Sequence, residues 1–421
     1  MTFRTLTTCR HCSGPLTTIL ELEPTPPANA LVSAGHAAAY AWAGGHEGHI
    51  ESLRQMGTPL DAFYPLTLAQ CDTCAHVQLR EVLPPELLFT PDYPYSSGTS
   101  PVFRAHLAML ARDTQRRLFP DDLVVEIGSN DGTLLRCFDP GLRVLGVDPA
   151  GDLSAAVTAM GILTYPGFFG QATARAIVRS SGKAAAILAL NVTAHIDDLH
   201  SVAEGVRTLL AETGVLIVEV GYLPDVVRTN NFPALYHEHL DVWHLGPLIK
   251  FWSEHGMTLY DAERIDTQGG SIRYYVGKGR KASTDRLHDL LRAEDSLPVA
   301  LAEWPARVAE SRQAIGDAVR GLKEAGHTIC GYGASAKSTT LLHSCGLGRA
   351  EIDCVFDLNA GKVGKFTPGT HLPIVATSEL ETRNPDYVLM LSGNFSEAIR
   401  GQHPNYAGKW LEPLPMPRVV E

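Results

Sequence analysis

The stretch LVVEIGSNDGTLL, residues 123–135, decides how this chain is read. Leu123–Ile127 is short and almost wholly apolar, as a strand buried on both faces of a parallel sheet must be. It runs into Glu126-Ile-Gly128-Ser-Asn-Asp-Gly132, where glycines let the backbone turn tightly and approach a ligand that a Cβ would obstruct. A second apolar run, Arg143–Val147, follows, and Asp148 closes it, 20 residues after Gly128. An acid at that distance, on the end of the next strand, is placed to bind a ribose. Ile162–Tyr165, Ala185–Leu190 and Val215–Val220 continue the series with helical stretches between them. The alternation predicts a doubly wound parallel sheet across roughly 120–220. Thr258–Arg264 and Ser271–Val276, either side of Asp266-Thr-Gln-Gly-Gly270, read as an antiparallel pair appended to it.

Outward from this centre the pattern changes twice. Upstream, a Pro- and Tyr-rich linker, Pro84–Pro101, precedes a helical stretch, Val102–Leu118. Downstream, 284–325 is helical in pattern and is expected to break at Pro298 and Pro305. A second α/β unit then begins: Thr328–Gly331 as a strand, Ser338–His343 in a helix, Cys354–Phe356 and Tyr387–Leu391 as further strands. The expected division is 1–83, a linker and helix over 84–119, 120–283 and 284–421.

Cys9 and Cys12, then Cys71 and Cys74, form two CxxC knuckles. Four thiolates close a tetrahedral zinc shell with no open position, which marks a structural site. The Ala/Gly/His-rich stretch from His36 to His49 reads as a solvated insertion between the knuckles, the inserted part spanning about 34–58. Cys137, Cys330, Cys345 and Cys354 have no partner spacing and read as small buried side chains.

The 421 residues are 45% hydrophobic and 19% charged, a globular composition. A net charge of −11 argues against nucleic-acid partners. No apolar run reaches the ~20 residues needed to span a bilayer, and the first residues lack a secretory apolar core. The expectation is a cytoplasmic protein without membrane partners, its thiols reduced, and a monomer.

The loop chemistry separates two nucleotide cofactors. A dinucleotide needs GxGxxG, with bare N–H groups facing its pyrophosphate. Here Asn130-Asp131 replaces the middle glycine and Glu126 precedes the loop, so the site repels pyrophosphate and favours an ammonium. S-adenosylmethionine carries an ammonium, a sulfonium and a ribose diol, and fits better than NAD. Glu126, Gly128, Ser129, Asn130, Asp131, Gly132, Asp148 and Asn191 form the expected cofactor set. Tyr93 and Tyr95, in the linker, are placed to close over the sulfonium by cation–π contact.

Two segments concentrate acid–base groups: Asn191-Val-Thr-Ala-His195-Ile-Asp-Asp198, after a strand end, and Tyr236-His237-Glu238-His239. The latter lacks the HExxH spacing of a catalytic metal helix. Imidazole, ordinarily titrating at ~6.5, is a suitable base near neutrality. In the third region Gly331-Tyr-Gly-Ala-Ser-Ala-Lys337-Ser338 lies between strand and helix and offers an anion site. Alanine stands before Lys337, so it is not a Walker A loop. Tyr332, Ser335, Lys337, His237 and Asn394 form the expected substrate set.

The ordered motifs CxxC–CxxC, VVEIGSNDGTLL, HIDD, YHEHL, GGSIRYYV, GYGASAKS and PGTHLPI resemble the three-domain nucleotide-sugar C-methyltransferases. Those enzymes, typified by the mycarose and tetronitrose C-3-methyltransferases, build branched deoxysugars for antibiotics. The resemblance runs from about Cys9 to Ile399. It implies a zinc-binding N-terminal domain, a central class I S-adenosylmethionine domain, and a C-terminal Rossmann-like domain that helps hold a dTDP-sugar. It places the active-site residues on His195, Tyr236, Glu238 and His239, with a linker tyrosine at Tyr93 or Tyr95. Methylation at C-3 of a 4-keto sugar through an enolate follows, with His239 as base, His195 and Tyr236 on the enolate oxygen, and Glu238 orienting an imidazole. The chain departs from the family at Leu391-Ser-Gly393-Asn394, where an aromatic AWN segment is usual. Three other readings are a methyltransferase acting on a heteroatom or another carbon acid, a nicotinamide-dependent sugar oxidoreductase, and a zinc-stabilised binding protein.

Overall fold

The computed structural model describes residues 3–35, 61–89 and 97–420. The insertion read at His36–His49, and Tyr93 and Tyr95, lie outside the described residues. The apolar runs of the N-terminal part alternate. In Leu16–Thr25 (β1), Leu20 and Leu22 are buried while Glu21 and Glu23 face solvent, as a one-sided antiparallel strand requires. It pairs with Tyr64–Cys71 (β2), which pairs with Val77–Leu79 (β3), both antiparallel. Tight turns at either end bring Cys9 and Cys12 to Cys71 and Cys74.

The middle of the chain builds a seven-stranded sheet from Leu123–Ile127 (β4), Arg143–Asp148 (β5), Thr164–Pro166 (β6), Ala184–Leu190 (β7) and Leu210–Gly221 (β8). All five residues of β4 are buried, because helices cover both faces of the sheet. One apolar cluster, including Val125, Ile187 and Val218, packs on one face. Another, including Val124, Leu188 and Ile217, packs on the other, under the helix Pro101–Gln115.

After β8 the chain makes a two-residue strand, Asp241–Val242 (β9), which leaves this sheet. It pairs antiparallel with β3, joining the N-terminal sheet at its edge. Met257–Ile265 (β10) and Ser271–Lys278 (β11) then return. The central order is β10-β11-β8-β7-β4-β5-β6, with β11 antiparallel between two parallel neighbours. The expected hairpin is therefore present, and its second strand lies innermost. This is the class I methyltransferase arrangement, with β4 at the switch point where ligands bind beyond the strand ends.

The expected helical break at Pro305 does not occur. Leu297–Glu324 is one 28-residue helix with Pro298 in its first turn, where no N–H is needed, and Pro305 inside. Leu301, Trp304, Val308, Ile315 and Val319 bury one face of it, and that packing offsets the ~3 kcal/mol an internal proline costs. The helix leads to Ile329–Tyr332 (β12), Val355–Asp357 (β13), Ile374–Ala376 (β14), Tyr387–Met390 (β15), Lys409–Glu412 (β16) and Arg418–Val420 (β17). Their order is β14-β13-β12-β15-β16-β17, parallel except for the last, a second doubly wound sheet. Cys330, Cys345 and Cys354 are buried, and Cys137 is half-buried. No helix among the described residues is long and apolar enough to cross a membrane.

Candidate active site

A cavity of about 1830 Å³ lies where the three sheets meet, with residues of all three regions on its wall. The glycine loop after β4 forms one side. Gly128 has φ +70°, and a Cβ there would come within 2.7 Å of Val192 Cγ2, so only glycine fits. Asp148, from the end of β5, accepts from the Asn130 N–H at 2.8 Å and the Ala150 N–H at 2.9 Å. Burial nevertheless pushes its pKa upward. Glu126 is buried, and burial, with Asp131 and Asp148 nearby, pushes its carboxyl well above the usual range. Its Oε2, Ser129 Oγ and Asn191 Nδ2 face no hydrogen-bond partner among the described residues. A cavity lined by orphaned acceptors and donors suits a ligand that brings an ammonium and hydroxyls.

Three members of the expected cofactor set, Asp131, Asn130 and Gly132, have structural roles in the loop. Asp131 Oδ2 accepts from the Gly98 N–H at 2.8 Å and its Oδ1 from Thr133, which ties the linker end to the loop. Asn130 Oδ1 likewise accepts from the Ser97 N–H at 2.9 Å. Gly132, at φ +71°, shapes the turn. Neither Asp131 nor Gly132 is on the cavity wall, whereas Asn130 is.

Opposite the loop sit the acid–base groups. His239 Nδ1 donates to the Ala234 carbonyl at 2.7 Å, so its lone pair is on Nε2, which receives the Tyr236 hydroxyl at 2.7 Å. The His195 ring lies 5.1 Å from that of His239 and stacks at 6.0 Å on Phe89. Burial holds His195 down to about 4. Burial, with His195 and Lys337 nearby, holds His239 well below the ordinary value. Both imidazoles are neutral near pH 7 and one has a defined basic nitrogen, as general-base chemistry requires.

The rest of the YHEH segment faces the other way. His237 is buried, its Nε2 donates to the Pro65 carbonyl at 2.9 Å, and it does not line the cavity. Glu238 Oε1 accepts from Asn29 Nδ2 at 2.7 Å. Asn29 is itself on the cavity wall and was not legible as a site residue, since nothing in its neighbourhood forms a motif.

The third wall comes from β12 and β15. Lys337, in the first turn of the helix Ala336–Ser344, donates to the Gln268 carbonyl at 2.7 Å and reaches Asn394 Oδ1 at 3.3 Å. Burial lowers its pKa to about 8. Ser335 Oγ has no described partner, while the Tyr332 hydroxyl lies 2.9 Å from His403 Nε2. Asp357, closing β13, accepts from the Ala334 N–H at 2.8 Å, just as Asp148 holds the first glycine loop. The strand–glycine–strand–acid spacing could have flagged it. A Cβ at Gly393 would meet nothing within 4 Å.

A family described as the C-methyltransferase C-terminal domain matches residues 266–415. The C-methyltransferase NovU of Streptomyces niveus is 33% identical over 372 residues, covering 86% of this chain and 88% of the relative. The chain belongs to the C-methyltransferase family. Its reaction is S-adenosylmethionine-dependent methyl transfer to carbon. Among solved structures, an S-adenosylmethionine-dependent methyltransferase from Clostridium acetobutylicum overlaps 41% of this chain and 90% of its own, with TM-score 0.33 and 14% identity. The geranyl diphosphate C-methyltransferase of Streptomyces coelicolor overlaps 42% of this chain and 81% of its own, with TM-score 0.33 and 12% identity. The sheet order, and not these partial overlaps, carries the fold assignment.

Proposed function

We propose that this C-methyltransferase methylates C-3 of a dTDP-4-keto-deoxysugar, as a step in building a branched sugar for an antibiotic, in the cytoplasm. The observation that carries the reading is the Tyr236–His239 pair, 2.7 Å apart, on a cavity that also holds the Glu126–Asp148 loop and Lys337. Bound S-adenosylmethionine supplies an electrophilic methyl group. Glu126 and Asp148 take its ammonium and ribose, respectively, with Asn191 and Ser129 beside them. His239 Nε2 accepts the C-3 proton, which the neighbouring ketone acidifies. With substrate bound, the Tyr236 hydroxyl hydrogen turns from His239 Nε2, which frees that lone pair, and joins His195 in donating hydrogen bonds to the enolate oxygen, where charge develops. Lys337, Ser335 and Asn394 face the nucleotide diphosphate, and the Lys337 cation adds to the N–H groups of its helix start.

Cys9, Cys12, Cys71 and Cys74 hold a structural zinc. Their sulfurs lie within 4.8 Å of one another, with Cys9–Cys74 at 3.7 Å and Cys12–Cys71 at 3.4 Å. Tetrahedral Zn–S bonds of ~2.3 Å place sulfurs about 3.8 Å apart, which these positions approach. Backbone N–H groups of His11 and Thr73 point at Cys9 and Cys71 sulfur at 3.4 Å, as thiolate acceptors invite.

The test is mass spectrometry of the protein with S-adenosylmethionine and a dTDP-4-keto-2,6-dideoxysugar. A sugar nucleotide heavier by one CH₂, formed with S-adenosylhomocysteine, supports the reading. Cofactor binding without product refutes the sugar assignment.

A further inference from the structure

The YHEHLD segment that carries His239 is held largely by the N-terminal region. His237 bonds to the Pro65 carbonyl, and Glu238 receives Asn29. The Leu240 carbonyl accepts from the Leu79 N–H at 2.8 Å, and Asp241–Val242 pairs with Gln78 and Val77 as the edge strand of that sheet. Asp241 is buried, and two residues of the cysteine knuckles reach its carboxylate. His76 Nε2, two residues beyond Cys74, lies 2.7 Å from Asp241 Oδ1, and Arg10 Nε, between Cys9 and Cys12, lies 3.4 Å from it. Arg10 Nη1 also stands 3.6 Å from Asp197, two residues after His195. One buried guanidinium thus faces carboxylates from both segments that carry the candidate catalytic histidines.

His11, His76 and Asp241 are close enough to suggest a second metal site. The His11 and His76 rings stack at 3.7 Å and 11°, so their in-plane lone pairs run parallel and do not converge on one ion. The Arg10 cation beside Asp241 repels a second one. The group is therefore a clamp.

We infer that Arg10 and His76, presented by the metal knuckles, are positioning residues that hold Asp241 and Asp197, and through them His239 and His195, in catalytic register. The zinc of the N-terminal region then acts on the active site from outside it, by fixing the knuckles. This rests on the proposed roles of the two histidines. A 1 Å misplacement of a catalytic group costs roughly 10²-fold in rate.

The experiment compares full-length wild type, Asp241→Asn, and wild type stripped with a zinc chelator and then reloaded with zinc. Three readouts are taken: hydrogen–deuterium exchange by peptide, S-adenosylhomocysteine affinity by calorimetry, and kcat against KM. In Asp241→Asn and in stripped protein, amides of 236–242 and 194–199 should exchange about tenfold faster, reversibly with zinc, as local opening predicts. Exchange across 123–135 and cofactor affinity should stay within about twofold, and kcat should fall about 10²-fold with KM for the cofactor unchanged. Unchanged exchange at 236–242 in stripped protein overturns the inference. So does parallel loss of cofactor binding with faster exchange at 123–135, which would mean general loosening. Should Asp241→Asn not fold, the stripped and reloaded pair decides alone. Exchange needs no substrate, so an inactive wild type with the expected exchange pattern defeats the sugar assignment while supporting the clamp.

Discussion

Lowering the pH from about 8 to about 6 should leave the methyl-transfer step nearly unchanged, because the imidazoles facing the cavity are already poor proton acceptors from solvent. A histidine titrating at the ordinary ~6.5 is about three-quarters protonated at pH 6, which would remove about three-quarters of the rate if the neutral form were required. His195, held down to about 4 by burial, is only about 1% protonated there. His239 shifts in the same direction, through burial first and then its neighbours His195 and Lys337. The Ala234 carbonyl opposes the shift, since the hydrogen bond it accepts from Nδ1–H is stronger when the ring is charged, and it does not offset burial. The sign is that of a depressed base: the working neutral form is complete above ~6.5 and is lost only as pH falls well below it. The assay is kcat/KM for S-adenosylhomocysteine release against pH, with imidazole NMR titration of the free enzyme alongside. An acid limb with its midpoint at 6.5 or above, traced by NMR to His195 or His239, would refute the reasoning. The same limb traced to another group would leave it standing.

Lys337, lowered to about 8 by burial, should lose its charge just above neutral pH, weakening affinity for the proposed sugar nucleotide as pH rises through that value. Lys337→Arg should abolish that alkaline weakening, and an unchanged KM–pH profile would show that the charge is not used. Gly128→Ala should weaken cofactor binding at least tenfold by calorimetry, since a left-handed alanine costs about 1–2 kcal/mol before its contact with Val192 is counted; an unaltered affinity would contradict this. Glu219→Gln should lower unfolding stability by about 3 kcal/mol, because buried Arg273 and half-buried His106 both depend on that buried carboxylate, and a denaturant midpoint equal to wild type would show otherwise.

Much of this molecule is legible in short windows of sequence. The strands β4, β5, β7 and β8 declare themselves as apolar runs because a sheet covered on both faces admits little else. Gly128 and Asp148 mark the cofactor loop because a tight turn and a strand-end acid are local requirements. The CxxC knuckles are legible for the same reason. Where local rules misled, packing had overridden them. Pro305 lies inside a helix whose buried face holds it together, and β6 begins two residues later than its apolar run suggested.

Spacing alone singled out the knuckles, the glycine loop, both histidine segments and the Lys337 turn as candidate chemistry, since each is a pattern within a few residues. Tertiary structure decided what they do to one another. Asn29 reaches Glu238 across 209 residues, β9 crosses to the N-terminal sheet, and Lys337 meets Gln268 from another sheet. The neutral state of the two histidines follows from burial, a property of the packed whole that no window of sequence contains.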